Sequence, residues 1–193
     1  EEAFSQQLKE EKLELPAGQF ALFMNSMYAV DAYVRDYFRK AALDALLAEK
    51  LPVTVFGEGW EKYSCGDEHS LRREPAVPFA LSFERIAKAH VLLNVSPIFN
   101  RGMHDRVPAG MANYAVVLTD ENPYLRRTFT DGKELLFYSL EKPDTLCEQA
   151  ERALTDVRLR EKIAASAYET FEREYTWKRR AEQILAFAEE VEA

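Results

Sequence analysis

Between Asn94 and Arg106 the chain reads Asn-Val-Ser-Pro-Ile-Phe-Asn-Arg-Gly-Met-His-Asp-Arg. Arg101 and Arg106 carry guanidinium forks that can grip two phosphate oxygens at once. Amides at a helix start attract anions, and a helix is expected just beyond this stretch. His104 titrates near neutrality and could act as a general acid or base. Asn94, Ser96 and Asp105 add neutral and acidic polar groups beside them. The chemistry these residue types suit is the holding of a phosphate or diphosphate. A second reading uses the same residues: Asp105 caps the helix and the arginines are simply solvated. Spacing alone does not separate the two.

Three further places could contribute. Gly57-Glu58-Gly59-Trp60 follows a β-type run. Its glycines permit a close backbone approach to a ligand, or merely a tight turn with Trp60 plugging the core. Thr119 and Asp120 end another apolar run, and Glu134 begins a third. His69 and His90 have no motif around them, and no His or Cys pair has metal spacing, so no metal is expected. There is no G-x-S-x-G elbow, no Walker loop and no G-x-G-x-x-G. The exit of the first apolar run, Met24-Asn25-Ser26-Met27, lacks glycine, which argues against a classical dinucleotide site.

The elements that must position these residues alternate between β-type and helical runs, predicting an α/β fold with a doubly wound, mostly parallel sheet and C-terminal helices. Strands are expected near 20–24, 53–57, 91–95, 115–119 and 134–138, with the third and fourth adjacent. Phe20–Met24 is read as a buried strand because it is continuously apolar. Helices are expected at 4–15, at 28–49 with Val30, Tyr33, Val34, Tyr37, Phe38, Ala41 and Ala45 on its apolar face, and at 82–89 with Ser82 as cap. Another is expected at 122–129, and two or three after Lys142. Residues 61–80 read as loop. The chain is read as one domain: a helical segment at 1–15, an α/β core at 16–140 and helices at 141–193. In such sheets ligands bind beyond the carboxyl ends of the strands, a rule that nominates Asn25-Ser26, Gly57–Trp60, Ser96–Arg106, Thr119–Asn122 and Tyr138-Ser139.

Composition narrows the partners. With 47% apolar and 30% charged residues the chain can fill a core and clothe it. A net charge of −8 argues against nucleic acid or anionic membrane as partner, though not against a small phosphorylated ligand in a local basic pocket. No apolar run is long enough to span a membrane. Two cysteines, Cys65 and Cys147, suit a reducing, cytoplasmic setting. The chain does not begin with Met, so a preceding partner segment is expected.

FGEGW, LLNVSPIFNRGMHDRV, AVVLTDENPYLRRTFTDGKELLFY and EREYTWKRRAEQIL occur here in that order. Together they resemble the bacterial glycosyltransferases of the family 1-like, spore-maturation protein B-like group, over about residues 53–185. That group reads G-x-G-W, LN-x-SP…G-x-H-(D/E)-R, (V/L)-x-TD, F-x-D-G-K-E-x-x-x-Y and HTW-x-x-RA. The resemblance implies the C-terminal, donor-binding lobe of a glycosyltransferase-B fold, with a nucleotide-diphosphate sugar as substrate. It implies an acceptor-binding N-terminal lobe outside this chain, and transfer with retention. By the match, His104, Asp105 and Arg106 stand on the H-(D/E)-R positions, Thr119 and Asp120 on TD, and Lys133 and Glu134 on K-E. Related retaining enzymes hold the donor ribose with a glutamate five residues before a helix-ending glycine. Here those positions are Ala109 and Tyr114, and HTW is Tyr175-Thr176-Trp177. Ala109 favours the alternative of a nucleotide-binding or protein-interaction domain derived from such an enzyme. The candidate set is therefore His104 for catalysis, and Gly57, Gly59, Asn94, Ser96, Arg101, Asp105, Arg106, Thr119, Asp120 and Glu134 for the nucleotide.

Overall fold

A computed structural model describes residues 2–192. The chain divides into two compact units, residues 1–37 and 38–193. The first holds helices α1 (Glu2–Glu10) and α2 (Ala17–Ser26) and the start of α3 (Tyr28–Ala48). The expected strand at 20–24 is thus helix. The reason is local. Pro16 sits at the N-cap, its carbonyl accepts from Gln19 and Phe20, and Ala17–Ser26 contains no β-branched residue. Leu22 is 71% exposed, so no sheet buries the apolar run. A short apolar run without alternation fits either state.

The second unit is the α/β body. β1 (Val53–Phe56) pairs in parallel with β2 (Leu71–Glu74), and β3 (Val91–Asn94), β4 (Val116–Asp120) and β5 (Leu136–Tyr138) form a second parallel ladder in that order. The strands expected at 91–95 and 115–119 are neighbours. Hydrogen bonding divides the strands two and three, rather than joining five in one ladder. Val53 packs against the core of both ladders and so links them. β2 lies inside the stretch expected to be loop. Only Leu71 of Leu-Arg-Arg-Glu is buried, so the strand has almost no apolar signature.

Helices cover both faces of the three-stranded ladder. Val116 and Leu118 of β4 face one cluster with Ala42 and Leu46 of α3 and with Leu146 and Ala150 of α7 (Pro143–Thr155). Val117, between them, faces Val107 and Met111 of α5 (Arg106–Ala112) and Leu125 of α6 (Pro123–Thr128). α8 (Val157–Glu174) reaches both clusters, with Ile163 in one and Ala167 in the other. This two-sided burial is why β4 is buried at every residue. In α3 the buried face is Ala42, Leu43, Leu46 and Leu47, one step round from the expected stripe, and Tyr33 and Tyr37 are exposed. Helix α4 (Phe79–Ile86) starts after Pro78, earlier than expected. Ser82 lies inside it, and its hydroxyl donates to the Phe79 carbonyl at 2.6 Å rather than capping. α9 (Trp177–Glu192) closes the described chain. No helix among the described residues is long and apolar enough to cross a membrane.

α5 matters most for the site. It ends in a Schellman arrangement: Ala115 N–H donates to the Gly110 carbonyl at 3.1 Å, and Tyr114 N–H points to that of Met111 at 3.5 Å. The left-handed position is Tyr114, at φ +57°, where the family resemblance implies a helix-ending glycine. Its ring stacks on Tyr168 with centroids 4.3 Å apart, an attraction that offsets part of the backbone strain. Gly110 lets α5 lie on the sheet. A Cβ there would stand 2.4 Å from Val117 Cγ2 and 3.0 Å from Leu92 Cδ2. Val117 is fully buried and cannot yield. Gly110→Ala is therefore expected to destabilise the protein by about 1–3 kcal/mol, more than the ~1 kcal/mol that Ala gains over Gly within a helix. Denaturant unfolding checks this, and an unchanged or raised midpoint contradicts the packing assignment.

Candidate functional site

The carboxyl ends of β3, β4 and β5 bring Asn94, Thr119, Asp120 and Tyr138 to one edge. Asn94 and Thr119 are partners in the ladder, as are Asp120 and Tyr138. Asn94 is 1% exposed and organises the edge. Its Nδ2 donates to Thr119 Oγ1 at 3.0 Å, and its Oδ1 accepts from Ser96 Oγ and from Arg106 Nη1, both at 3.1 Å. Its carbonyl accepts from the Tyr138 hydroxyl at 3.1 Å. Ser96 N–H donates to Asp120 Oδ1 at 2.7 Å, which fixes where the loop leaves β3.

Arg106, at the first residue of α5, is partly buried. Among the described residues it makes no ion pair, and its side-chain hydrogen bond goes to the Asn94 amide. Burial and the Arg39 guanidinium from α3 both depress its pKa, while Asp105 acts the other way. His104 is held below its ordinary value by burial first and then by Arg106, with Arg39 adding and Asp105 opposing. His104 Nδ1 accepts from the Arg106 N–H at 3.2 Å and also touches Asp105 Oδ1. One atom cannot accept and donate together. With Nδ1 accepting, the neutral ring offers Nε2–H to a ligand. With Nδ1–H turned to Asp105, Nε2 is a base. Asp105 is the N-cap residue by position, yet its side chain makes no cap bond. The Phe99 and His104 rings meet in an edge-type contact, with centroids 5.6 Å apart.

Asn94, Ser96, His104, Asp105, Arg106, Thr119 and Asp120 are thus brought together. Other expected residues are not. Arg101 is exposed and, among the described residues, makes no ion pair or side-chain hydrogen bond. Gly57 and Gly59, at φ +121° and +89°, shape the turn after β1; there Gly57 N–H donates to the Glu74 carbonyl at 3.2 Å and Trp60 Nε1 to that of Phe56 at 3.3 Å. That is the tight-turn reading. Glu134 lies at the amino end of β5, the opposite edge of the sheet. Its carboxylate accepts from Thr130 N–H at 3.0 Å and pairs with Lys133 at 2.7 Å, so it holds a turn. Asn122 and Tyr138 fall in segments that the strand-end rule nominates, Thr119–Asn122 and Tyr138-Ser139, although no role was assigned to them. Arg39 was not singled out, and nothing local marks it. A cavity of about 250 Å³ lies apart from this network, lined by Glu49, Leu51, Asp144, Cys147, Glu148 and Glu151, whose carboxylates oppose an anion. Among the described residues no group of His, Cys, Asp and Glu is placed to hold a metal.

A family model described as glycosyl transferase-like matches residues 35–186. The chain belongs to that family. In fold, this glycosyltransferase-family chain is similar to HepE from Anabaena, solved with UDP-glucose, at 12% identity and a TM-score of 0.63, over 80% of this chain and 44% of HepE. It is similar to TarM at 12% identity and a TM-score of 0.59, over 78% of this chain and 31% of TarM. A glycosyltransferase from Rickettsia africae gives 11% identity and a TM-score of 0.57, over 81% and 54%. The chain therefore spans about half or less of these proteins. At such identities the likeness is one of fold: parallel strands with helices on both faces, as the resemblance implied. No curated protein matches.

Asp120 gives the site a measurable signature. It is 2% exposed, and burial lifts its pKa from 3.8 to about 6, against the pull of the Ser96 amide. A carboxyl raised in the folded state favours folding below its unfolded pKa, and that benefit is lost as pH rises through about 6. Asp120→Asn keeps the acceptor for Ser96 and cannot ionise. Relative to the parent, the variant should gain roughly 2–3 kcal/mol of unfolding free energy between pH 4 and pH 7.5. Denaturant titrations at both pH values check this; a pH-independent difference contradicts it.

Proposed function

We propose that this chain is the donor-binding lobe of a glycosyltransferase and that its Asn94–Arg106 edge holds the diphosphate of a nucleotide sugar. The observation that carries the reading is the Arg106 guanidinium. It is partly buried at a helix start, held by a neutral amide, and under the repulsion of Arg39. A buried charge needs a counter-charge, and a diphosphate supplies one. The solved complexes of HepE with UDP-glucose and with UDP support the ligand class.

In such a transfer the bond between sugar and diphosphate breaks and the leaving phosphate gains negative charge. Arg106, with Arg39 beside it, stabilises that charge where it develops. His104, neutral and with Nε2–H outward, donates to a donor oxygen. When Nδ1 keeps the proton and donates it in a hydrogen bond to Asp105, Nε2 accepts a proton instead. The acceptor is bound by a lobe outside this chain. Retention follows the family resemblance. Ala109 supports a second reading, nucleotide binding without turnover, because a methyl group offers the donor ribose no acceptor.

Arg106→Ala is expected to weaken binding of UDP by about ten- to a hundredfold, from the roughly 1.5–3 kcal/mol carried by a charged hydrogen bond. His104→Ala should leave affinity nearer the parent's and lower turnover in the complete enzyme. Calorimetric titration of both variants, beside thermal melts, checks this. A destabilised Arg106→Ala that binds like the parent makes Arg106 structural and ends the phosphate assignment.

A further inference from the structure

Loop 95–105 carries Arg101 and His104, and it is pinned from outside itself. Asn122, 7% exposed, lies just beyond β4 and is the N-cap of α6. Its Oδ1 accepts from Leu125 N–H at 2.8 Å, the capping bond. Its Nδ2 donates to the Phe99 carbonyl at 2.6 Å and to the Gly102 carbonyl at 3.3 Å. The amide thus uses one acceptor and both donor hydrogens. The orientation is fixed by its partners, since the reversed amide would set an oxygen against two carbonyls. Ser, Thr and Asp cap helices as well as Asn does, but none of them donates twice while accepting once. The cap alone does not require Asn. The two carbonyls do.

We propose that Asn122 is a positioning residue, one that fixes the Phe99–Gly102 segment so that His104 faces the diphosphate. The proposal rests on the donor-site reading above. Asp120 holds the loop's first amide, Asn122 holds its middle, and Asn94 holds Arg106 at its far end. The ring of Phe99, whose carbonyl Asn122 grips, meets that of His104 in an edge-type contact. The β4–α6 turn is therefore the template on which the loop is shaped.

Asn122→Ser separates the two roles. It keeps a capping acceptor and removes both donors. Asn122→Asp keeps the cap and sets a carboxylate against the Phe99 and Gly102 carbonyls. Two readouts on this chain test the proposal. Limited trypsinolysis followed by mass spectrometry compares cleavage after Arg101 with cleavage after Arg126 and Arg127 of α6. Calorimetry gives the affinity for UDP. Asn122→Ser should melt near the parent and Asn122→Asp lower, and both should cleave several-fold faster after Arg101, while α6 cleavage is unchanged. They should bind UDP roughly three- to tenfold more weakly, as expected for losing about one hydrogen bond of positioning, with Asp worse than Ser. Parent-like cleavage after Arg101 in both overturns the clamp. Faster cleavage with unaltered affinity overturns its role in binding. A parent that does not bind UDP refutes the donor-site reading instead, and the cleavage result then decides the clamp by itself.

Discussion

The Asn94 side chain is the constraint on which the site depends. It sits at the last residue of β3, opposite Thr119 in the parallel ladder, and it is almost wholly buried. Each of its polar atoms described above has a partner: Thr119 and Ser96 fix the amide's orientation, and the Tyr138 hydroxyl ties its backbone to β5. So fixed, the amide oxygen can hold one arm of Arg106. It gives that guanidinium a direction but no counter-charge. A neutral dipole repays only part of the cost of taking a cation partly out of water, and in the proposed function the diphosphate makes up that shortfall.

The core serves this edge. β4 is buried on both faces because its alternate residues feed two clusters, and that burial fixes the register of Thr119 and Asp120 against their neighbours. α5 lies close on the sheet because residue 110 has no side chain, which brings Arg106 within reach of Asn94. The helix must then end in a left-handed residue. This chain places Tyr114 there, steadied by Tyr168.

Much of this was legible in the sequence. The runs at 91–95, 115–119 and 134–138 are β-rich and bounded by polar turns, and each overlaps the strand expected of it, the middle one shifted by one residue to Val116–Asp120. The loop's positive groups could be named because they cluster between a strand and a helix. What misled was local ambiguity. Phe20–Met24 is apolar enough for a buried strand, yet it follows a proline and lacks β-branching, and it folds as helix. Leu71–Glu74 forms a strand through one buried leucine and its partner β1, which no local pattern reveals. Glu134 and the two glycines of the β1 turn were nominated by motif position. Backbone topology puts Glu134 at the far edge, and hydrogen bonding closes the glycine turn upon Glu74. Asn122 and Tyr138 act across more than twenty residues of chain, through contacts that sequence spacing does not encode.

The central claim is that this edge recognises phosphate charge through a partly buried guanidinium. Calorimetric titration of the unmodified chain with UDP, inorganic pyrophosphate and uridine tests it most directly. The account predicts that UDP and pyrophosphate bind and compete with each other, and that uridine, lacking phosphate, binds far more weakly than either. Uridine binding as tightly as UDP, with pyrophosphate neither binding nor competing, would contradict it.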